Sequence, residues 1–140
     1  MSTETDLQDT IHECHSGSTR EERLVAMLSD DRLMVRANAV IALARRKAEN
    51  DASVVAALLK VARSSSAKSI VFGTVSEVIL AAMTLKSIAS PEALKAFASI
   101  QAVLTPAERE QLLWNLQNNT LPAIAEMNQP VTGKLPPIRK

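Results

Sequence analysis

His12, Glu13, Cys14 and His15 bring both histidines and the single cysteine of the chain into one short stretch, and these are the residue types that bind transition metals. Zinc needs ligands that converge tetrahedrally, from two separated knuckles or from helical positions three or four apart. His12 and His15 have the helical spacing, but Cys14 falls on another face and no second cluster occurs in the sequence to complete a ligand set. Copper and nickel would need a comparable convergence. The stretch therefore reads as the surface end of a helix with Cys14 turned partly inwards, and no metal is expected.

Asp30, Asp31 and Arg36 form a second group of reactive types, but an acid and a base so close are ordinarily a structural ion pair. The chain has no glycine-rich phosphate loop, no Ser-His-Asp order and no paired-carboxylate motif. Two histidines near one end leave few general bases. The expectation is a protein that is not an enzyme, with no catalytic residue and no cofactor.

A third group is defined by charge. Residues 32–47 hold Arg32, Arg36, Arg45, Arg46 and Lys47 and no acid, whereas residues 1–22 hold six acids and one base, Arg20. Arg45 to Lys47 would suit the negative end of a helix dipole, and Arg32, Arg45, Arg46 and Lys47 are also the candidate contacts for a partner. Trp114 is the only tryptophan; such a residue is more often core, and if exposed it would be an aromatic anchor. The formal net charge is only +1, and no aromatic platform lies near the basic stretch, which argues against nucleic acid and anionic membrane. Another protein is the expected partner.

The elements that must carry these residues are helices. Aromatics make up 2% of the 140 residues, so Ala, Leu, Val and Ile must fill the core, and Ala and Leu are strong helix formers. A single cysteine and an amino terminus without a basic or apolar signal region point to a reducing, cytoplasmic setting. No apolar run reaches the roughly 18 to 20 residues needed to span a bilayer.

Leu7, Ile11 and Cys14 give one apolar stripe on an acidic helix over about residues 3–15, which would cap the helices after it. Ser18 with Glu21, or Thr19 with Glu22, has the spacing of a capping box for the next helix. Ser29-Asp30-Asp31 suits a turn and can cap the helix after it. From Arg32 to Lys47, Val35, Ala39, Ala42 and Leu43 line one face and Met34, Ala37, Ile41 and Ala44 another, so this helix should lie between neighbours. Val54, Val55, Leu58, Leu59 and Val61 mark a further helix. The apolar stretch 68–88 predicts one main helix from about Thr74. Ser90-Pro91 and Thr105-Pro106-Ala107-Glu108 are helix starts by mechanism, the second with a capping-box glutamate. Leu94, Phe97, Ala98 and Ile100 would face the core in one of these helices, and Leu112, Leu113 and Leu116 in the other. Pro122 would open a last short helix through Met127, before a proline-rich basic tail.

The stretch LVAMLSDDRLMVRANAVIALARRK resembles the HEAT-like repeat, including the phycobilisome-lyase type, through Asp30 or Asp31 at the turn, the Val35-Arg36 pair, Ala39, Ala42 and Leu43. Ala81 and Leu85 repeat Ala39 and Leu43 at a spacing within the range of about 40 to 47 residues for such repeats, and a looser third copy spans 91–118. The resemblance implies an all-α fold, a short right-handed α-solenoid of antiparallel helix pairs with about seven helices. It divides the chain into an acidic capping helix (1–17), a repeat domain (18–119) and a tail (120–140). It also implies that Arg36 supports the turn and stacks repeats, and that the second helices present a shallow concave surface to a partner protein. Phycobilin-lyase-like chromophore handling is the alternative that the resemblance brings, and some HEAT-like proteins bind DNA. An end repeat without a polar cap would expose apolar surface and favour a homodimer.

Overall fold

The computed structural model describes residues 3–14, 19–46, 51–64, 68–72 and 75–118. Within them the chain is all-helical apart from one small hairpin: α1 (Thr3–Cys14), α2 (Glu21–Met27), α3 (Leu33–Arg46), α4 (Asp51–Ala62), β1 (Ile70–Phe72), β2 (Val75–Ser76), α5 (Glu77–Ile88), α6 (Pro91–Val103) and α7 (Pro106–Gln117). The helix expected at Pro122 and the basic tail lie outside the described residues.

The two Ser/Thr-Pro starts work as their chemistry requires. Ser90 Oγ accepts from the Ala93 amide at 3.1 Å, and Pro91 opens α6, where a missing N–H costs nothing. Thr105 Oγ1 accepts from the Glu108 amide, and Glu108 Oε1 accepts from the Thr105 amide at 2.9 Å, closing a reciprocal capping box on α7. That backbone bond, with the Thr105 hydroxyl, holds the Glu108 carboxyl below its usual range. Arg109 fastens the corner between the two helices by donating from Nε to the Gln101 carbonyl at the end of α6.

Two expected starts differ. Helix α2 is capped by Arg20 without a side-chain bond, and Ser18 lies outside the described residues. Thr19 instead donates from Oγ1 to the Glu13 carbonyl at 2.6 Å, so its hydroxyl closes the end of α1 rather than opening α2. In the stretch 68–88 the helix starts at Glu77, not near Thr74. Ser76 is its cap, Oγ accepting from the Ile79 amide at 3.3 Å. Ahead of it, β1 and β2 pair antiparallel, Ile70 opposite Ser76 and Phe72 opposite Val75. The β-branched and aromatic residues Ile70, Val71, Phe72 and Val75 favour a pleated strand over a helix. A bond from the Glu77 amide to the Ser69 carbonyl at 3.0 Å closes the hairpin at its base.

Packing runs along two lines of neighbours. Helix α4 touches α2 and α6, while α3 touches α1 and α5, and α5 touches α7. The lines join where α2 packs on α3, where α4 packs on α5, and where α5 packs on α6. The hairpin spans the second line, β1 against α3 and β2 against both α5 and α7. Helix α5 is therefore enclosed: every residue from Glu77 to Leu85 is buried. Helix α3 is buried continuously from Ala37 to Leu43, as its two apolar faces demand.

The α6 core face is Ala93, Ala96, Phe97 and Ile100. Leu94 and Ala98, expected inwards, are exposed, because the small Ala93 and Ala96 set the side that can approach α5 closely. Three buried polar side chains bond their own helix: Asn38 Nδ2 to the Met34 carbonyl at 2.6 Å, Thr84 Oγ1 to Leu80 at 2.9 Å and Asn115 Nδ2 to Gln111 at 2.7 Å. An unbonded amide or hydroxyl at these depths would cost about 1 to 3 kcal/mol.

Candidate functional site

Cys14 is fully inside, 1% exposed, with its thiol 3.5 Å from the Thr10 carbonyl oxygen and 3.4 Å from Met27 Sδ. Burial, reinforced by the negative charge of Glu13, pushes the thiol up to about 11. A protonated sulfur packed against a thioether behaves as a small apolar core group. His12 is exposed, so the two residues do not converge, and His15 lies outside the described residues. Among the described residues no group of three His, Cys, Asp or Glu side chains is placed to hold a metal ion.

The turn between α2 and α3 is organised by two arginines, with a division of labour different from the expected Asp30 or Asp31 pair with Arg36. Arg32 grips the Asp30 carboxylate in a fork, Nε to Oδ1 at 2.9 Å and Nη2 to Oδ2 at 3.0 Å. The Arg32 amide also donates to Oδ1, so Asp30 both turns the chain and holds the residue that precedes α3. The Arg32 guanidinium in turn holds the Asp30 carboxyl below the usual carboxylate range. Asp31 is exposed.

Arg36 reaches past the acids of the turn. Its Nη1 donates to the Asp30 carbonyl at 2.7 Å. Its Nε and Nη2 meet the two carboxylate oxygens of Glu77, 41 residues away, at 2.6 and 3.2 Å. The Glu77 side chain is 0% exposed and that of Arg36 11%. One guanidinium thus ties the α2–α3 turn to the first residue of α5 in a planar, bidentate pair. Sequence reasoning misses Glu77, because nothing marks an acid in an apolar stretch as the partner of an arginine so distant along the chain.

Of the five residues put forward as partner contacts, Arg32 is committed to Asp30. Arg45 and Arg46 are the last two residues of α3, and Lys47 lies outside the described residues. Trp114 is on the surface, 57% exposed, beside Leu113 at 55%. Leu113, expected in the core, is turned out by the helical phase. Leu112 and Asn115 are buried and Leu116 is half-buried. These positions, three and four apart, form the stripe that packs on α5 and β2. Leu113 and Trp114 fall between its turns and face outwards. Val103, at the end of α6, is 80% exposed. Ile70 and Leu94 are exposed as well, but Val103, Leu113 and Trp114 are the more exposed and lie towards the end of the described chain.

No described helix is long and apolar enough to cross a membrane. No family model, curated protein or solved structure matches the chain.

Proposed function

We propose that this chain is a non-enzymatic protein–protein interaction module, a short HEAT-like α-solenoid whose partner surface lies at its α7 end. The observation that carries this reading is the adjacent exposure of Trp114 and Leu113 on a helix anchored by its opposite face. Large aromatic side chains dominate protein interfaces, and covering the exposed half of a leucine or tryptophan returns about 1 to 1.5 kcal/mol each. An outward-facing pair on a fixed helix is ready to be covered without rearrangement of the core.

The HEAT-like design draws support from the two lines of neighbours: on this reading α2, α4 and α6 would be the first helices and α3, α5 and α7 the second, with α1 as the cap. Arg36 adds to it, since it braces its own turn and reaches the start of the next second helix. In that design the second helices would offer a concave face. Here the hairpin occupies part of it and α5 is enclosed, so the contact surface moves to α7. Arg45 and Arg46, at the far end of α3, are the charged contacts of the same reading, set in a reducing, cytoplasmic environment.

Affinity capture at native abundance tests the proposal. The wild-type chain should retain a specific protein that Trp114→Ala and Leu113→Ala lose by about 10-fold or more, the effect of removing an interface anchor. Charge reversal by Arg45→Glu and Arg46→Glu should weaken the same complex. Retention of the full partner set by all four variants would overturn the assignment of this surface.

A further inference from the structure

We propose that the exposed face shared by α4 and α6 docks an acidic peptide segment of another protein. Three cations define it. Lys60 and Arg63 stand one turn apart at the end of α4, and Lys95 stands one turn before Ser99 on α6. The two helices are neighbours, and Arg63 Nη2 donates to Ser99 Oγ at 3.4 Å. Each cation is thus within one helical turn of a single crossing point, a spacing of roughly 5 to 6 Å along either helix.

All three are exposed, and among the described residues none of them takes part in a salt bridge. Other cations of the region have neighbours: Lys86 sits 5.2 Å over the Phe97 ring, and Lys68 lies close enough to Glu108 to lower its pKa. Around Lys60, Arg63 and Lys95 the exposed positions are small, Ala56, Ser64, Ala98 and Ala102. Long cations rising from a floor of alanine and serine leave room for a chain to lie close while its carboxylates meet the charges. Glu92 is the one exposed acid described on these two helices, so the face keeps a net positive charge.

The chemistry favours acidic protein over nucleic acid. Three charges are too few to track a phosphate backbone, and the floor has no exposed aromatic side chain on which a base could stack. A run of carboxylates needs only complementary charge and close approach.

The test uses the whole chain and a fluorescein-labelled oligoglutamate peptide, monitored by fluorescence anisotropy at low ionic strength. Saturable binding is expected, weakening several-fold as salt is raised from about 50 to about 200 mM, because exposed charges are screened over that range. The triple variant K60E/R63E/K95E should lose about 10-fold or more, the combined effect of three modest surface ion pairs. Trp114→Ala should bind as the wild type does, which separates this face from the α7 surface. Circular dichroism confirms that the exposed substitutions leave the helices intact. Absence of saturable peptide binding would overturn the proposal, as would equal binding by the triple variant or tighter binding of an oligothymidylate of matched charge.

Discussion

Replacing Arg36 by methionine removes the guanidinium from a carboxylate that has no access to solvent. Breaking a buried ion pair from one side costs about 3 to 5 kcal/mol, because the remaining charge is left desolvated. The lower part of that range, about 3 to 4 kcal/mol, applies here, since the Arg36 side chain is 11% exposed and its removal lets water approach the stranded carboxylate. Losing the donor to the Asp30 carbonyl adds about 1 kcal/mol. The sum, about 4 to 5 kcal/mol, is a large fraction of the roughly 5 to 15 kcal/mol typical of a domain. It corresponds to a fall in Tm of about 12 to 20 °C at this chain length. Glu77→Leu should cost a similar amount by stranding Arg36. The double variant Arg36→Met/Glu77→Leu should return to within about 1 to 2 kcal/mol of wild type, since an apolar pair of similar volume replaces a buried ion pair at little or no cost. The coupling would then be about 6 kcal/mol or more, the two single losses less the residual loss of the double variant. Urea unfolding monitored by far-UV circular dichroism measures all four proteins; Trp114, exposed in the native state, would be a weak fluorescent reporter. Single-variant losses below about 1 kcal/mol, or strict additivity in the double variant, would refute the reasoning.

Local geometry sets two further outcomes. Ala89 closes α5 with φ of 61°, a left-handed conformation that costs a residue with a Cβ about 1 to 2 kcal/mol; Ala89→Gly should raise the unfolding free energy by about 0.5 to 1 kcal/mol after the extra unfolded-state entropy of glycine, seen as a higher urea midpoint, and a lowered midpoint would count against it. The folded Cys14 thiol titrates near 11 against an ordinary 9.0. The raised folded value means that its contribution is intact below pH 9 and is lost as pH rises towards 11, where the unfolded chain ionises first. Wild type should therefore lose up to about 2 to 3 kcal/mol more than Cys14→Ala across that interval, and at neutral pH a thiol reagent should modify the native chain only as fast as it opens. Rapid stoichiometric labelling of the folded protein would contradict this placement.

The features legible in the sequence are those decided locally. The Ser90-Pro91 and Thr105-Pro106 starts are built from side chains bonding amides three residues on, and both stand where the residues place them. Helix α3 announces its burial by carrying apolar residues on two faces. The hairpin is hidden because a run such as Ile70 to Val75 satisfies strand and buried helix alike. The pairing of Arg36 with Glu77 depends on how α3 meets α5, which no local pattern encodes. For Trp114, residue type points inwards when helical phase is the better guide: Leu112, Asn115 and Leu116 define the inner stripe, with a buried asparagine standing where an apolar residue would ordinarily signal it. Lys60 and Arg63 are neighbours on one helix, but Lys95 is far along the chain from them, and only the packing of α4 on α6 brings the three together.

The enclosure of α5 bears on how the chain folds. In an open repeat array each unit touches only the units before and after it, and stability accumulates roughly as a sum over neighbours, so ends can fray and units can be added or removed. This chain is short enough that one central helix is wrapped by α3, α4, α6, α7 and a strand, and its burial requires segments from both halves of the chain to be in place at once. Unfolding should be a single all-or-none event, with calorimetric and van't Hoff enthalpies in agreement. Removing α6 and α7 would uncover α5, and the remaining chain should unfold at a lower temperature than the whole protein.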